Sequence, residues 1–243
     1  MNIKKHIPNL ITLLNLFCGC IAVVFAFQEN FLMAFVFVCL GIFLDFFDGF
    51  FARLFHVSSP LGLQLDSLAD MVTSGVAPGT IMFFMLCNAL NVSNENFDTS
   101  NVNFWIALLG FVITLGSCFR LANFNIDTRQ TESFIGLPTP ANALFIMSLP
   151  LILKQTDSLL VLGFLTNPIC LLVITVFSAY ILNAEIPLFA LKIKEFSIKK
   201  YALQIGFLLF SVLMILFFQV TAIPLIIVSY VLLSVVNNKF IIK

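Results

Sequence analysis

Residues 45–70 read DFFDGFFARLFHVSSPLGLQLDSLAD and hold four of the chain's 12 acidic residues, Asp45, Asp48, Asp66 and Asp70. Arg53 is the only strong base among them, and the sequence on either side is almost wholly apolar. A charge at the centre of a membrane helix costs about 2.5–3.5 kcal/mol on insertion scales, and such residues usually face a cavity and serve a function. Four carboxylates in one greasy segment therefore mark a place of chemistry.

The membrane setting follows from composition. The chain has 243 residues, is 60% hydrophobic and 10% charged, and has a mean hydropathy of +1.09. A soluble domain is about 25% charged, and a membrane span needs roughly 20 mostly apolar residues. Runs free of Asp, Glu, Lys and Arg cover 7–28, 71–94, 99–119, 133–153, 158–184 and 201–238, and a further apolar run, 31–44, continues through Asp45 and Asp48 to Leu54. The reading is an all-α, polytopic membrane protein of about eight transmembrane helices: 8–27, 31–54, 61–87, 104–124, 139–153, 158–183, 201–219 and 222–238. Asn167-Pro168 is a candidate break in the sixth helix. The whole chain, 1–243, is expected to be one integral-membrane domain, with a six-helix catalytic core over 1–183 and two additional helices over 201–238.

Orientation follows from the bias of Lys and Arg toward cytoplasmic loops. With the N-terminus inside, eight spans leave Lys154 as the only basic residue outside and put the other 11 of the 12 inside. Both termini are then cytoplasmic. Lys4-Lys5 before an apolar run has the look of a signal peptide, but the run is too long and lacks a small-residue cleavage site. The Lys-rich stretch 192–200 reads as a cytoplasmic loop near anionic lipid. Cysteines in apolar spans behave as small hydrophobes. Formal net charge is zero and there is no basic patch, so nucleic acid is not an expected partner.

The spacing of the acids carries the next step. Ser58-Ser59-Pro60 marks a turn, with a serine as candidate cap and Pro60 at a helix entry. Counted from Val57, Asp48 and Asp66 are each nine residues away, Asp45 twelve and Asp70 thirteen. An antiparallel hairpin thus brings the four to two matching depths near the cytoplasmic face. Asp45/Asp48 are spaced i,i+3 and Asp66/Asp70 i,i+4, so each pair shares a helix face. Carboxylates so close repel. Either some are protonated or cations sit between them. Oxygen-only ligands favour hard ions such as Mg²⁺ or Mn²⁺, and two such ions can clamp a phosphoryl group. Gly49, Ala52 and Gly62 leave space beside the acids, and Arg53 lies one turn past Gly49, placed to meet a phosphate.

Written out, the segment is D-x2-D-G-x2-A-R-x8-G-x3-D-x3-D, over Asp45, Asp48, Gly49, Ala52, Arg53, Gly62, Asp66 and Asp70. It resembles the signature of the CDP-alcohol phosphatidyltransferases at every fixed position. Ile7-Pro8-Asn9 through Thr12, Asn15 and Gly19, then Gly75-Val76-Ala77-Pro78, FRLANFN at 119–125 and GLPTPA at 136–141, resemble the phosphatidylserine synthase branch. Beyond 141 the likeness is one of hydropathy.

The resemblance implies transfer of the phosphatidyl group from CDP-diacylglycerol to the hydroxyl of L-serine, giving phosphatidylserine and CMP. It implies Asp45, Asp48, Asp66 and Asp70 as ligands of two divalent cations, and Asp70 also as general base. Gly49, Ala52 and Arg53 would line the CDP moiety. Arg120, helped by Asn123, would bind the serine carboxylate or a lipid phosphate. A homodimer, a bacterial inner membrane and an active site facing the cytoplasm are the matching expectations. Glycerol phosphate, inositol phosphate and choline are alternative acceptors that the shared signature does not separate. A divalent-cation transporter is the reading from another class. It is disfavoured because the acids gather at one face rather than at the midplane expected of transporter sites.

Overall fold

A computed structural model describes residues 6–57, 59–93, 97–127, 134–189 and 202–241. The Lys-rich stretch 192–200, Ser58 and the basic residues Lys4, Lys5 and Arg129 lie outside the described residues.

Helix α1 (Ile7–Phe27) begins with Pro8 in its first turn, where a missing N–H does no harm. Helix α2 (Phe31–Leu54) is capped by Asn30, whose side chain accepts from the Met33 N–H at 3.2 Å. Helix α3 (Pro60–Ala89) starts as the sequence suggests: the Ser59 hydroxyl accepts from the Gly62 N–H at 3.0 Å, and Pro60 follows the cap. Helix α4 covers Val102–Ile126. Then come strand β1 (Phe134–Ile135), helices α5 (Thr139–Gln155), α6 (Leu159–Leu165) and α7 (Pro168–Asn183), strand β2 (Pro187–Leu188), and helices α8 (Ala202–Phe218) and α9 (Ala222–Ile241). The strands form an antiparallel two-residue ribbon, Phe134 opposite Leu188 and Ile135 opposite Pro187.

Helix α3 is the central element. Every residue from Ala77 to Cys87 is buried, as expected of a helix that is apolar all round and enclosed by others. Ile81, Met82, Phe84 and Leu86 pack with Ala22 and Val38 from α1 and α2, and with Ile113, Ile146, Met147 and Leu171 from later helices. Large apolar side chains such as Phe17, Phe43, Trp105, Leu115 and Phe217 point outward. Together with the long apolar helices, this makes the chain an integral membrane protein.

Between its two halves α3 passes through a π-helical turn, Met71–Val76. Pro78 explains its position. Proline has no N–H for the carbonyl one turn earlier, and its ring clashes there. The chain widens instead, and the Ala77 N–H bonds to the Val72 carbonyl. Within the turn the Gly75 carbonyl accepts from the Thr114 hydroxyl at 2.9 Å.

The span count corrects the sequence reading. Among the described residues five helices are long and apolar enough to cross a membrane, or six if one bent pair is a single span, rather than about eight. Helix α5 has 17 residues, with Pro150 inside, about 26 Å at 1.5 Å per residue, short of a hydrocarbon core of about 30 Å. Helices α6 and α7 meet at 68° across the break at Asn167-Pro168. Leu203–Asn237 is apolar enough throughout to pass as one 35-residue unit. Its halves nevertheless lie side by side: Gln219 has a φ of 48°, and the Phe207 and Tyr230 rings are 5.6 Å apart. The Lys and Arg bias that put both termini in the cytoplasm was counted over eight spans, and it does not carry over to five or six. The chain ends themselves are outside the described residues.

Candidate metal centre

Helix α2 carries Asp45 and Asp48, and α3 carries Asp66 and Asp70. The short turn between them brings ligand oxygens of Asp45, Asp48 and Asp66 within 4.8 Å of one another. Asp70 is one turn further along α3, buried, and within electrostatic reach of Asp66, Asp48 and Asp45. The nine-residue symmetry about Val57 thus translates into proximity for Asp48 and Asp66, and Asp45 joins them.

Helix α1 holds two of the four acids in place. The Thr12 hydroxyl lies 2.5 Å from Asp48 Oδ2 and 3.1 Å from the Pro8 carbonyl. With one proton, it donates to one of them at a time. The Asn15 Nδ2 donates to Asp70 Oδ1 at 3.2 Å. Both α1 residues are buried, and the Thr73 hydroxyl in the π turn donates to the Asn15 carbonyl at 3.1 Å. Polar residues near a helix start serve capping or interhelical bonding about equally well in sequence terms. Here they support the acids.

The packing that allows this depends on Gly41. A Cβ there would stand 2.7 Å from Thr73 Cγ2 and 2.8 Å from Asn15 Oδ1. Gly49 differs: a Cβ on it would meet nothing within 4 Å. Gly49 and Ala52 line a cleft of about 190 Å³ together with Thr12, Asp48, Gly62 and Asp66. Arg53 sits at the exposed edge of α2, where its Nε donates to the Gly49 carbonyl at 3.0 Å.

The donor set fits a hard divalent cation. It is all oxygen, it is compact, and Asp45 Oδ1 is buried without a hydrogen-bond partner. A buried acceptor left bare is costly, and a cation between the carboxylates removes that cost and their mutual repulsion together.

Arg120 and Asn123 lie elsewhere. They line a second cleft, of about 350 Å³, with Asp127, Asn183 and Glu185. Arg120 is buried and its guanidinium carbon stands 5.5 Å from the centre of the Phe124 ring, a cation–π distance. Asn125 is joined to Ser67, beside Asp66, by contacts of 2.9 and 3.1 Å. Asn183 and Glu185 were not singled out in the sequence. They fall where its likeness to known motifs gives out, and only the fold brings them to Arg120.

Transmembrane helices, an acidic cluster at a helical hairpin and a glycine-lined cleft beside it define a membrane protein with a candidate centre for divalent cations. The model of the CDP-alcohol phosphatidyltransferase family matches residues 5–236, and the chain belongs to that family. It is 32% identical over 182 residues to the CDP-diacylglycerol–serine O-phosphatidyltransferase of Bacillus subtilis, covering 75% of this chain and 89% of that one. It is similar to proteins of the same description from Helicobacter pylori strain J99, 36% identical over 58% of this chain and 55% of that protein. The likeness to the Saccharomyces cerevisiae protein of that description is 32% identity over 59% of this chain and 53% of that protein. The chain thus spans most of the Bacillus relative and about half the length of the other two.

Proposed function

We propose that the protein transfers the phosphatidyl group of CDP-diacylglycerol to the hydroxyl of L-serine, releasing CMP. The observation that carries this reading is the likeness to a serine-using relative along nearly its whole length, joined to three carboxylates gathered within 4.8 Å.

In this reading Asp45, Asp48, Asp66 and Asp70 hold two divalent cations, Mg²⁺ or Mn²⁺. Bound there, such ions would offset the charge of the diphosphate and of the departing CMP. The residues of the chain do the rest. Gly49 and Ala52 leave room for the CDP moiety in the cleft, and Arg53 is at its rim to meet a phosphate. Asp70 takes the proton of the serine hydroxyl. The oxygen so freed bonds to the phosphorus that bears diacylglycerol, and the bond from that phosphorus to the bridging oxygen breaks, with its electron pair leaving on CMP. Asn15 keeps Asp70 in position for this, since a general base works only within hydrogen-bond reach of the proton it takes. Arg120 and Asn123 contact the acceptor. All these residues lie in the expected catalytic segment, 1–183.

A bacterial inner membrane, a site open to the cytoplasm and a homodimer complete the proposal. A water-facing site suits the substrates, because serine arrives from water and the acyl chains from lipid. The test is an acceptor panel. Protein in detergent is given CDP-diacylglycerol, Mg²⁺ or Mn²⁺, and L-serine, glycerol 3-phosphate, inositol phosphate or choline. CMP and lipid products are followed by mass. Phosphatidylserine from serine alone, lost in Asp70→Asn, is the expected result. CMP release with another acceptor overturns the serine assignment. No turnover with any acceptor, in folded protein, overturns the enzyme reading and favours a cation-flux assay.

A further inference from the structure

The second cleft carries charges of both signs. Arg120 is buried there, Asp127 stands within its electrostatic reach, and Glu185 is exposed at the rim. Asn183 adds a more specific signal. Its Nδ2 donates to the carbonyls of Gly116 and Ala179, both at 3.0 Å. Those two bonds fix which end of the amide is which. Its Oδ1 is left buried with no hydrogen-bond partner. An acceptor with nothing to accept is a place for a donor.

Depth relates this cleft to the acidic cluster. Helix α4 runs antiparallel to α3, and contacts fix the register: Thr114 to the Gly75 carbonyl, Ser117 to the Cα face of Gly75, and Asn125 to Ser67. Counting between the last two contacts places Arg120 level with Val72 and Asn123 level with Ala69. The two bracket the depth of Asp70. The segment carrying Glu185 is held at this level by the β1–β2 ribbon, by the Gly136 N–H donating to the Ile186 carbonyl at 2.9 Å, and by the Leu137 N–H donating to the Ile181 carbonyl at 3.0 Å.

We infer that this cleft recognises the acceptor as a zwitterion, with Glu185, Asp127 and Asn183 Oδ1 taking the α-ammonium while Arg120 takes the carboxylate. The inference rests on the serine-transfer reading and deepens it. It also supplies a physical reason for choosing among acceptors. Glycerol phosphate and inositol phosphate have no ammonium to meet two carboxylates and a bare amide oxygen. Choline has no carboxylate for Arg120, and its quaternary nitrogen has no N–H to donate.

The experiment compares L-serine with two truncated acceptors, 3-hydroxypropanoate, which lacks the ammonium, and ethanolamine, which lacks the carboxylate. Wild-type protein is expected to use either truncated acceptor at least about tenfold less well, since a hydrogen bond to a charged group is worth about ten- to hundredfold. Glu185→Gln should raise the KM for serine by a similar factor, leave the KM for CDP-diacylglycerol within twofold, and leave the poor use of 3-hydroxypropanoate unchanged. Asn183→Leu should act in the same direction. That variant also loses the bonds to Gly116 and Ala179, so the wild-type acceptor series and Glu185→Gln carry the test if it does not fold. Equal use of 3-hydroxypropanoate and serine by the wild type overturns the inference. So does a serine KM unmoved in Glu185→Gln. In both cases serine transfer itself stands. CMP release without phosphatidylserine in the wild type is the separate result that removes the serine reading underneath.

Discussion

Asn15 on α1 reaches across to Asp70 on α3, its Nδ2 3.2 Å from Asp70 Oδ1, while its backbone carbonyl accepts from Thr73 in the π turn. One residue of the first helix thus ties the orientation of an acidic side chain to an irregular turn of the central helix. Replacing it with leucine removes this donor to Asp70 without opening a void. The expected outcome is a fall in kcat of up to about 10²-fold, the scale at which small misplacement of a reacting group is felt. The KM for CDP-diacylglycerol should change little. Steady-state kinetics in mixed micelles reads both, and a kcat within twofold of wild type would show that Asn15 does not position Asp70.

Thr12 supports Asp48 from the same helix, its hydroxyl 2.5 Å from Oδ2. Thr12→Val keeps the shape and drops the hydrogen bond. Partners that orient a metal ligand typically account for 10- to 100-fold in metal affinity or activity. Titration of Mn²⁺, followed by its electron paramagnetic resonance signal, should show weakening in that range. Asp66→Asn, which removes a member of the 4.8 Å cluster, should weaken binding further, and chelation should abolish turnover until Mg²⁺ or Mn²⁺ is restored.

Gly41 has no room for a side chain, because Thr73 and Asn15 already occupy the place of a Cβ. Overpacking of a close-packed site costs about 1–3 kcal/mol. Gly41→Val should therefore lower the midpoint of thermal unfolding in detergent, and it should disturb the Asn15–Asp70 pair as well. An unchanged midpoint together with full activity would count against the packing described.

Gly49 is the contrasting case. It faces the open side of the cleft, so Gly49→Leu should fold with wild-type stability. It should nevertheless raise the KM for CDP-diacylglycerol by tenfold or more, as the new side chain fills the space assigned to the nucleotide. A destabilised variant with unaltered KM would reverse the assignment of Gly49 as a lining residue.

The acidic cluster was legible before any coordinates, because helix periodicity and the length of a turn determine which residues can meet. Asp45, Asp48 and Asp66 needed nothing more. The roles of Thr12 and Asn15 were not legible. A hydroxyl or amide near a helix start bonds its own turn or a neighbouring helix with similar ease, and only the packing of α1 on α3 decides. The span count failed for a related reason. Hydropathy measures how long an apolar run is, and it cannot see the 68° bend after Leu165 or the shortness of the helix ending at Gln155. The cleft around Asn183 and Glu185 joins residues 60 or more positions from Arg120 and Asn123, a relation no local pattern encodes.

The π turn at Met71–Val76 has a bearing on how this chain tolerates length changes. One residue of α-helix corresponds to a rotation of about 100°. The turn works as a phase coupling between two rotors: the first half of α3 aims its acids by one angular setting, and the second half meets its neighbours by another. Removing a single residue there would leave both halves helical and still apolar where they are apolar now. It would turn Asp66 and Asp70 through more than a quarter of a circle relative to the buried stretch Ala77–Cys87. Insertions and deletions at this point alter where the chemistry points without altering what the helix is made of.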